Sequence, residues 1–383
     1  MTLSNKLFAQ MRAATRSLIR RGPSVARTVL HESMMNASAL LPAAHPTMPH
    51  DKSNTASNQA SYDPDNQDAR NYDPFADMLA GLSRIGQPGG NPFSIPPFSS
   101  GAATGLPGHF IDASYANDAG TRHYKLYVPS THAGQPAALL VMLHGCSQHP
   151  DDFALGTGMN ALAEDSGCLV AYPAQSQQAN ASRCWNWFNA VDQQHGQGEP
   201  SIIAGITRDI MARYAVDPHR VYVAGLSAGG AMAAIMGTLY PDLYAAVGVH
   251  SGLPFAAAHD LPSAMAAMQG DVRRSQVPGR ALPMIVFHGD RDTTVHPANG
   301  AELIERRRRH PHDAVEIEPG QVPHGHAYTR TLHRRRDGSV HAEHWVVHGS
   351  GHAWSGGDAR GSYTDGKGPS ASQAMMHFFR TAR

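Results

Sequence analysis

The stretch "VYVAGLSAGGAMAA", Val221 to Ala234, decides how this chain folds. An apolar run ends in Gly225-Leu226-Ser227-Ala228-Gly229, and a string of small residues follows. The order reads as a buried strand, a sharp turn and a tightly packed helix. At such a turn the residues two before and two after the serine must be small, because strand and helix pass close together there. Gly225 and Gly229 meet that need. Gly230, Ala231, Ala233 and Ala234 let the helix lie close to the sheet. The turn lifts the Ser227 hydroxyl above the sheet edge, where the helix N-terminus favours negative charge. The competing reading is a glycine-rich turn with an incidental serine. What separates the two is whether the chain supplies partners for that hydroxyl, which is a poor nucleophile without a base in reach and an acid to orient the base.

Outward from this turn, residues from about 108 read as alternating strands and helices. Strands are expected over 123–129, 137–145, 168–173, 220–225, 245–251, 283–289 and 342–349. Helices are expected over about 151–164, 200–213, after Ser227, over about 298–309, and from Ser370. Short apolar runs without polar alternation, separated by helices, imply a parallel sheet covered on both faces. The expectation is therefore an α/β fold with a mostly parallel, doubly wound sheet over 108–383.

The first third of the chain has a different composition. Residues 1–35 are basic, and Leu7, Met11, Leu18 and Ile19 fall on one helical face. This weakly amphipathic segment reads either as an anchor for a membrane, granule or partner surface, or as a frayed, solvated segment. Residues 36–107 are rich in Pro, Gly, Ser and Asn, a low-complexity linker with too few core residues to order it. A disordered N-terminal extension is expected. The first residues have no continuous apolar run, since Arg12 and Arg16 interrupt it, and none follows Arg20-Arg21. They do not read as a Sec or twin-arginine export signal. No stretch approaches the roughly 18 apolar residues of a membrane span. An intracellular, granule-associated protein is the expectation from these features.

Composition narrows the function. The chain has 383 residues, 41% of them hydrophobic, with 31 basic and 31 acidic residues. A zero formal charge argues against a nucleic-acid binder. With 24 histidines, a histidine means little until position singles it out. Three cysteines, Cys146, Cys168 and Cys184, exclude a disulfide framework, and their spacing is not that of a zinc site. No metal and no cofactor is expected.

The base for Ser227 belongs on a loop after a later strand. "HGSGHAWSGG" follows Val347 and offers His348 and His352. His352 is favoured, because it lies beyond the strand among small residues, whereas His348 reads as the strand's end. The acid belongs between serine and base in sequence. "FHGDRDTTVHP" offers Asp290 and Asp292, and spacing does not choose between them. An oxyanion hole needs a backbone N–H beside that of Ala228. "LHGCSQ", after an early buried strand, nominates Cys146 through its main chain.

Taken together, "LHGCSQ", "YPAQS", "CWNWF", "GLSAGGAM", "HGDRDTTVHP" and "GHAWSGG" resemble the polyhydroxybutyrate depolymerase family of esterases, in the α/β-hydrolase superfamily. That family includes relatives of feruloyl and acetylxylan esterases. The resemblance covers residues 108–383, with all six stretches in family order. It implies the triad Ser227, Asp292 and His352, choosing Asp292 through the pattern H-G-x-x-D-x-x-V at His288, Gly289, Asp292 and Val295. It also implies the hole at Cys146 and Ala228, and a disulfide between Cys146 and Cys184 that leaves Cys168 free. The chain departs from the secreted depolymerases of crystalline polymer in having one helix, and no linker or substrate-binding domain, after the triad. Family members are commonly exported to the extracellular region.

The implied function is serine ester hydrolysis of short-chain hydroxyalkanoates, polyhydroxybutyrate or its oligomers. Carbohydrate-ester hydrolysis of the feruloyl or acetylxylan type, general short-chain carboxylesterase activity and a non-catalytic granule-binding role are the alternatives. Trp354, two residues after the base, and Trp185 are expected to touch substrate. Trp185, Trp187 and Phe188 read more readily as core than as subsite.

Overall fold

The computed structural model describes residues 105–271, 280–307 and 314–381. The expectations for the 1–35 segment, including any granule or membrane contact, and for the 36–107 linker up to residue 104 lie outside the described residues.

The described chain builds a ten-stranded sheet with helices on both faces. Strands β1 (His109–Asn117) and β2 (Gly120–Val128) form an antiparallel hairpin at one edge. β3 (Ala137–Leu143), β4 (Leu169–Pro173), β5 (Val216–Leu226), β6 (Ala246–His250), β7 (Met284–Gly289) and β10 (Val340–Val347) make the centre. They pair in parallel in the order β4-β3-β5-β6-β7-β10. β8 (Ala314–Gln321) and β9 (Ala327–Arg334) form a second antiparallel hairpin against β10 at the far edge. A small parallel pair, β11 (Trp354–Ser355) and β12 (Thr364–Asp365), stands apart from the sheet.

The helices fall into two layers. α3 (Gly198–Arg213) and α4 (Ala228–Leu239) pack one core with Val221 and Val223 of β5. α1 (Pro150–Thr157), α2 (Met159–Ser166) and α7 (Ala371–Thr381) pack the other, with Tyr222, Ala224 and Leu226. From Val221 to Leu226 both faces of β5 are buried, which is why that run shows no polar alternation. α5 (Leu261–Met268) and α6 (Ala298–Glu305) complete the described helices on the Val221 face. This is a doubly wound, mostly parallel sheet with antiparallel edges.

The differences from expectation have local causes. The helix expected over 151–164 is two helices, because Gly158 takes φ +62° and ends α1 with a left-handed cap. The β8–β9 hairpin was not expected. β8, "AVEIEPGQ", is almost wholly exposed and carries Pro319, which an edge strand tolerates. β1 is likewise an edge strand with mixed exposure and no apolar run.

Candidate active site

Every central strand ends on the same side of the sheet, and the candidate residues lie on the loops that leave those ends. Cys146 follows β3, Ser227 follows β5, Asp292 follows β7 and His352 follows β10. Seven described non-glycine residues have positive φ: Ser147, Arg183, Ser227, Ser251, Ala256, His324 and Tyr363. All seven lie on loops at this end, where strained backbone gathers around function.

Ser227 sits at φ 57°, ψ −121°, between the end of β5 and the first turn of α4. Its flanking glycines have no room for a side chain. A Cβ on Gly229 would lie 2.0 Å from Leu143 O, and one on Gly225 would lie 2.4 Å from the Gly229 carbonyl. The Ser227 N–H donates to His250 O at 2.9 Å, which ties the turn to β6. The Ser227 hydroxyl has no hydrogen-bond partner among the described residues, and the residue as a whole is 9% exposed.

Asp292 and His352 are brought together. His352 Nδ1–H donates to Asp292 Oδ2 at 2.7 Å, and its Nε2 has no hydrogen-bond partner among the described residues. Oδ1 of Asp292 accepts the N–H groups of Thr294 and Val295 at 2.9 and 2.8 Å. A second imidazole, His288, shares its Nε2–H between Val295 O at 2.8 Å and Asp292 Oδ2 at 3.4 Å. Burial would raise the Asp292 pKa, but the hydrogen bonds from His288 and His352 outweigh it and hold the carboxyl well below its usual range. Asp290 has a histidine of its own: Oδ2 accepts from His348 Nδ1 at 3.0 Å. That pair is exposed, and His348 Nε2 meets Thr329 Oγ1 at 2.9 Å rather than a serine.

The loop after β3 lies against the Ser227 turn, since a Cβ on Gly145 would come within 3.6 Å of Ser227 Cβ. The N–H groups of Cys146 and Ala228 find no acceptor among the described residues. His144 orients the first of them. Its Nε2 accepts the Gln175 N–H at 3.1 Å, so its proton is on Nδ1, which donates to Gly145 O at 2.7 Å. In a trans peptide that carbonyl and the Cys146 N–H point opposite ways, so holding one aims the other. Burial lowers the His144 pKa to about 4, keeping the ring neutral. Gln148 braces the same loop, accepting from Gly145 N at 2.9 Å and donating to Asp152 and Ser362. Cys146 and Cys184 are joined, with Cα atoms 4.2 Å apart, pinning this loop to "CWNWF", and Cys168 is free and buried.

Trp354 and Trp185, expected at the substrate, are instead buried at 1% and 0% exposure, which corrects that expectation. Trp354 packs edge-on against Phe153 and stacks on His250, and its Nε1–H donates to Ser372 Oγ at 3.0 Å. β11 turns it inward although it lies two residues past His352. Trp187 is also core, and Phe188 is half-buried against it.

Sequence reasoning missed His250. Its carbonyl holds the Ser227 N–H, its Nε2 accepts the Ser355 N–H at 3.0 Å, and its ring lies between Phe287 and Trp354. One residue thus joins the serine turn to the histidine loop. Nothing in "VHSG" marks it, because its partners come from two distant segments.

A mostly parallel sheet, with a positive-φ serine between glycines at a strand-to-helix turn, defines an α/β-hydrolase. Comparison with known proteins agrees. The family model described as Esterase PHB depolymerase matches residues 122–311. Poly(3-hydroxyalkanoate) depolymerase C of Paucimonas lemoignei is 30% identical over 255 residues, 63% of this chain and 60% of its own. Feruloyl esterase B of Neurospora crassa is 30% identical over 226 residues, 54% of this chain and 76% of its own. Probable acetylxylan esterase A of Aspergillus fumigatus is 30% identical over 210 residues, 50% of this chain and 55% of its own. The chain thus spans less than two thirds of the depolymerase and of the acetylxylan esterase. The solved structure of an acetyl xylan esterase from Aspergillus awamori superposes with a TM-score of 0.55 at 23% identity, covering 68% of this chain and 94% of that one, and so shares the fold. The chain belongs to the polyhydroxybutyrate depolymerase family of esterases.

Proposed function

We propose that the chain is a serine esterase acting on short-chain hydroxyalkanoate esters, polyhydroxybutyrate or its oligomers. The observation that carries the reaction type is the buried Asp292–His352 pair at 2.7 Å, on the sheet edge that also presents Ser227 and two unpaired N–H groups. His352 Nε2 takes the Ser227 proton as the hydroxyl attacks the ester carbonyl. The N–H groups of Cys146 and Ala228 receive the oxyanion, with the N-terminus of α4 behind them. His352 then protonates the leaving alcohol. Water repeats the sequence on the acyl-enzyme, releasing the acid and restoring the hydroxyl. Asp292 holds the imidazole in the productive tautomer throughout.

The depolymerase relative supports the polyester substrate, while the relatives named as acetylxylan and feruloyl esterases support a carbohydrate ester as the second reading. The deciding experiment supplies amorphous polyhydroxybutyrate granules to purified protein and measures soluble 3-hydroxybutyrate, with Ser227→Ala as the blank. Release by the wild type alone supports the proposal. No release, together with deacetylation of acetylxylan, moves the substrate to the carbohydrate class. The basic segment over residues 1–35 is proposed to hold the enzyme on granules. Deleting residues 1–105 is then expected to abolish co-sedimentation, and equal sedimentation of both forms refutes it.

A further inference from the structure

We propose that Arg183 is a specificity-determining residue that binds the free carboxylate at the acid end of a hydroxyalkanoate oligomer, next to the ester being cleaved. The inference rests on the polyester reading of the Ser227 site and deepens it.

Arg183 stands between two ties to the loop that carries Cys146. On one side, Ser182 O accepts the Ser147 N–H at 2.7 Å. On the other, Cys184 is bonded to Cys146 with Cα atoms 4.2 Å apart. One residue step adds at most about 3.8 Å, so the Arg183 Cα lies within about 8 Å of the Cys146 Cα. Its backbone is held at φ +52°, a conformation non-glycine residues rarely take, with its N–H donating to Asn180 O at 2.8 Å.

The side chain is half-buried, yet its guanidinium has no hydrogen bond or ion pair among the described residues. Exposed arginines such as Arg291 and Arg380 also lack one, but the other described arginines that are half-buried or buried are matched. Arg122 meets Glu199, Arg330 meets Glu318 and Glu343, and Arg334 meets Glu316. The charge of Arg183 also adds to burial in keeping His144 neutral, which puts it within electrostatic reach of the oxyanion loop. A planar, permanently charged fork without a carboxylate partner, at the rim of an ester site, suits a carboxylate ligand.

The chemistry of the oligomer supplies one. In a linear hydroxyacid ester the terminal carboxylate is a few bonds from the last ester carbonyl. In the proposed pose, with that carbonyl at Ser227 and its oxygen toward Cys146, the carboxylate meets the arginine rooted beside Cys184. An acetyl or feruloyl group on a neutral sugar, or an ester in mid-chain, presents no anion there.

The test compares 3-hydroxybutyrate trimer as the free acid and as its methyl ester, in wild type, Arg183→Gln and Arg183→Lys, with Ser227→Ala as blank. The readout is the ratio of the two kcat/KM values, which cancels any general loss of activity. The wild type is expected to prefer the free acid roughly tenfold or more, mainly through KM. The ratio should fall towards one in Arg183→Gln, persist in part in Arg183→Lys, and shrink with added salt. A wild-type ratio of one overturns the inference whatever the variants do, and so does an undiminished ratio in Arg183→Gln. If the wild type cleaves neither trimer but does cleave a short-chain nitrophenyl ester, the polyester reading itself has failed, and this inference with it.

Discussion

Asp290 and Asp292, two residues apart on the loop after β7, each hold a histidine of the loop after β10, at 3.0 and 2.7 Å. What distinguishes them is solvent. Asp292 is buried, has two imidazoles and two backbone N–H groups around it, and its His352 shares the sheet edge with Ser227. Asp290 and His348 are both about two-fifths exposed, where an ion pair contributes little. Asp292→Asn is therefore expected to lower kcat about 10⁴-fold through the wrong tautomer of His352. Asp290→Asn should leave kcat within about twofold, and steady-state kinetics on a nitrophenyl ester checks both. A large loss in Asp290→Asn with little in Asp292→Asn would reverse the assignment. Ser227→Ala should cost about 10⁶-fold in kcat. The serine and its glycines were legible because the turn is local: five consecutive residues carry its whole steric requirement. The choice between the aspartates was open to spacing and came from the family resemblance, since burial depends on what packs over the loop.

At the scale of elements, two devices hold the site. The first is the close approach of α4 to β3 and β5. Gly229→Ala would drive a Cβ into the main-chain oxygens of Leu143 and His144, at 2.0 and 2.5 Å, so the backbone itself must move. The expected cost is about 3 kcal/mol, read as a lower urea midpoint at unchanged slope, and a neutral effect would mean that strand and helix are further apart than described. The second is the Cys146–Cys184 bridge, across 38 residues of sequence. By the chain-entropy model, closing that loop stabilises the fold by about 4 kcal/mol. Cys184→Ser is expected to lower stability by most of that and to lower kcat as well, because the bridge anchors the loop that aims the Cys146 N–H. Unaltered kcat in a folded Cys184→Ser protein would separate the bridge from the oxyanion loop. The strands of the parallel centre were legible from sequence as unbroken apolar runs, because both faces are buried. The edge hairpins were not, because their outer strands are largely exposed and carry no such signal.

For the molecule as a whole, the buried histidines make stability depend on pH. Burial lowers His144 to about 4 and His250 to about 3, while in the unfolded chain each titrates near the ordinary imidazole value. As pH falls below about 6.5, the unfolded state binds protons that the folded state refuses, so stability drops. The loss continues until the folded pKa values are reached. Two such rings amount to about 3 kcal/mol per pH unit between roughly pH 6 and 4. Urea unfolding at pH 7, 6 and 5 should show the decline, and a flat profile down to pH 5 would show that these rings are not held neutral. Asp292 acts in the same direction further down, since its lowered pKa gives stability that is present above the ordinary carboxylate range and lost as acid protonates it. By itself, the sequence determined the parallel centre, the serine turn and the loops from which partners come, because apolar runs and glycine spacing are written in neighbouring residues. Only the tertiary structure decided that Trp354 and Trp185 belong to the interior, that His250 joins the serine and histidine loops, and that Arg183 stands unpaired beside Cys146. Those outcomes depend on which distant segments meet at the sheet edge, and burial and pairing do not exist until they do.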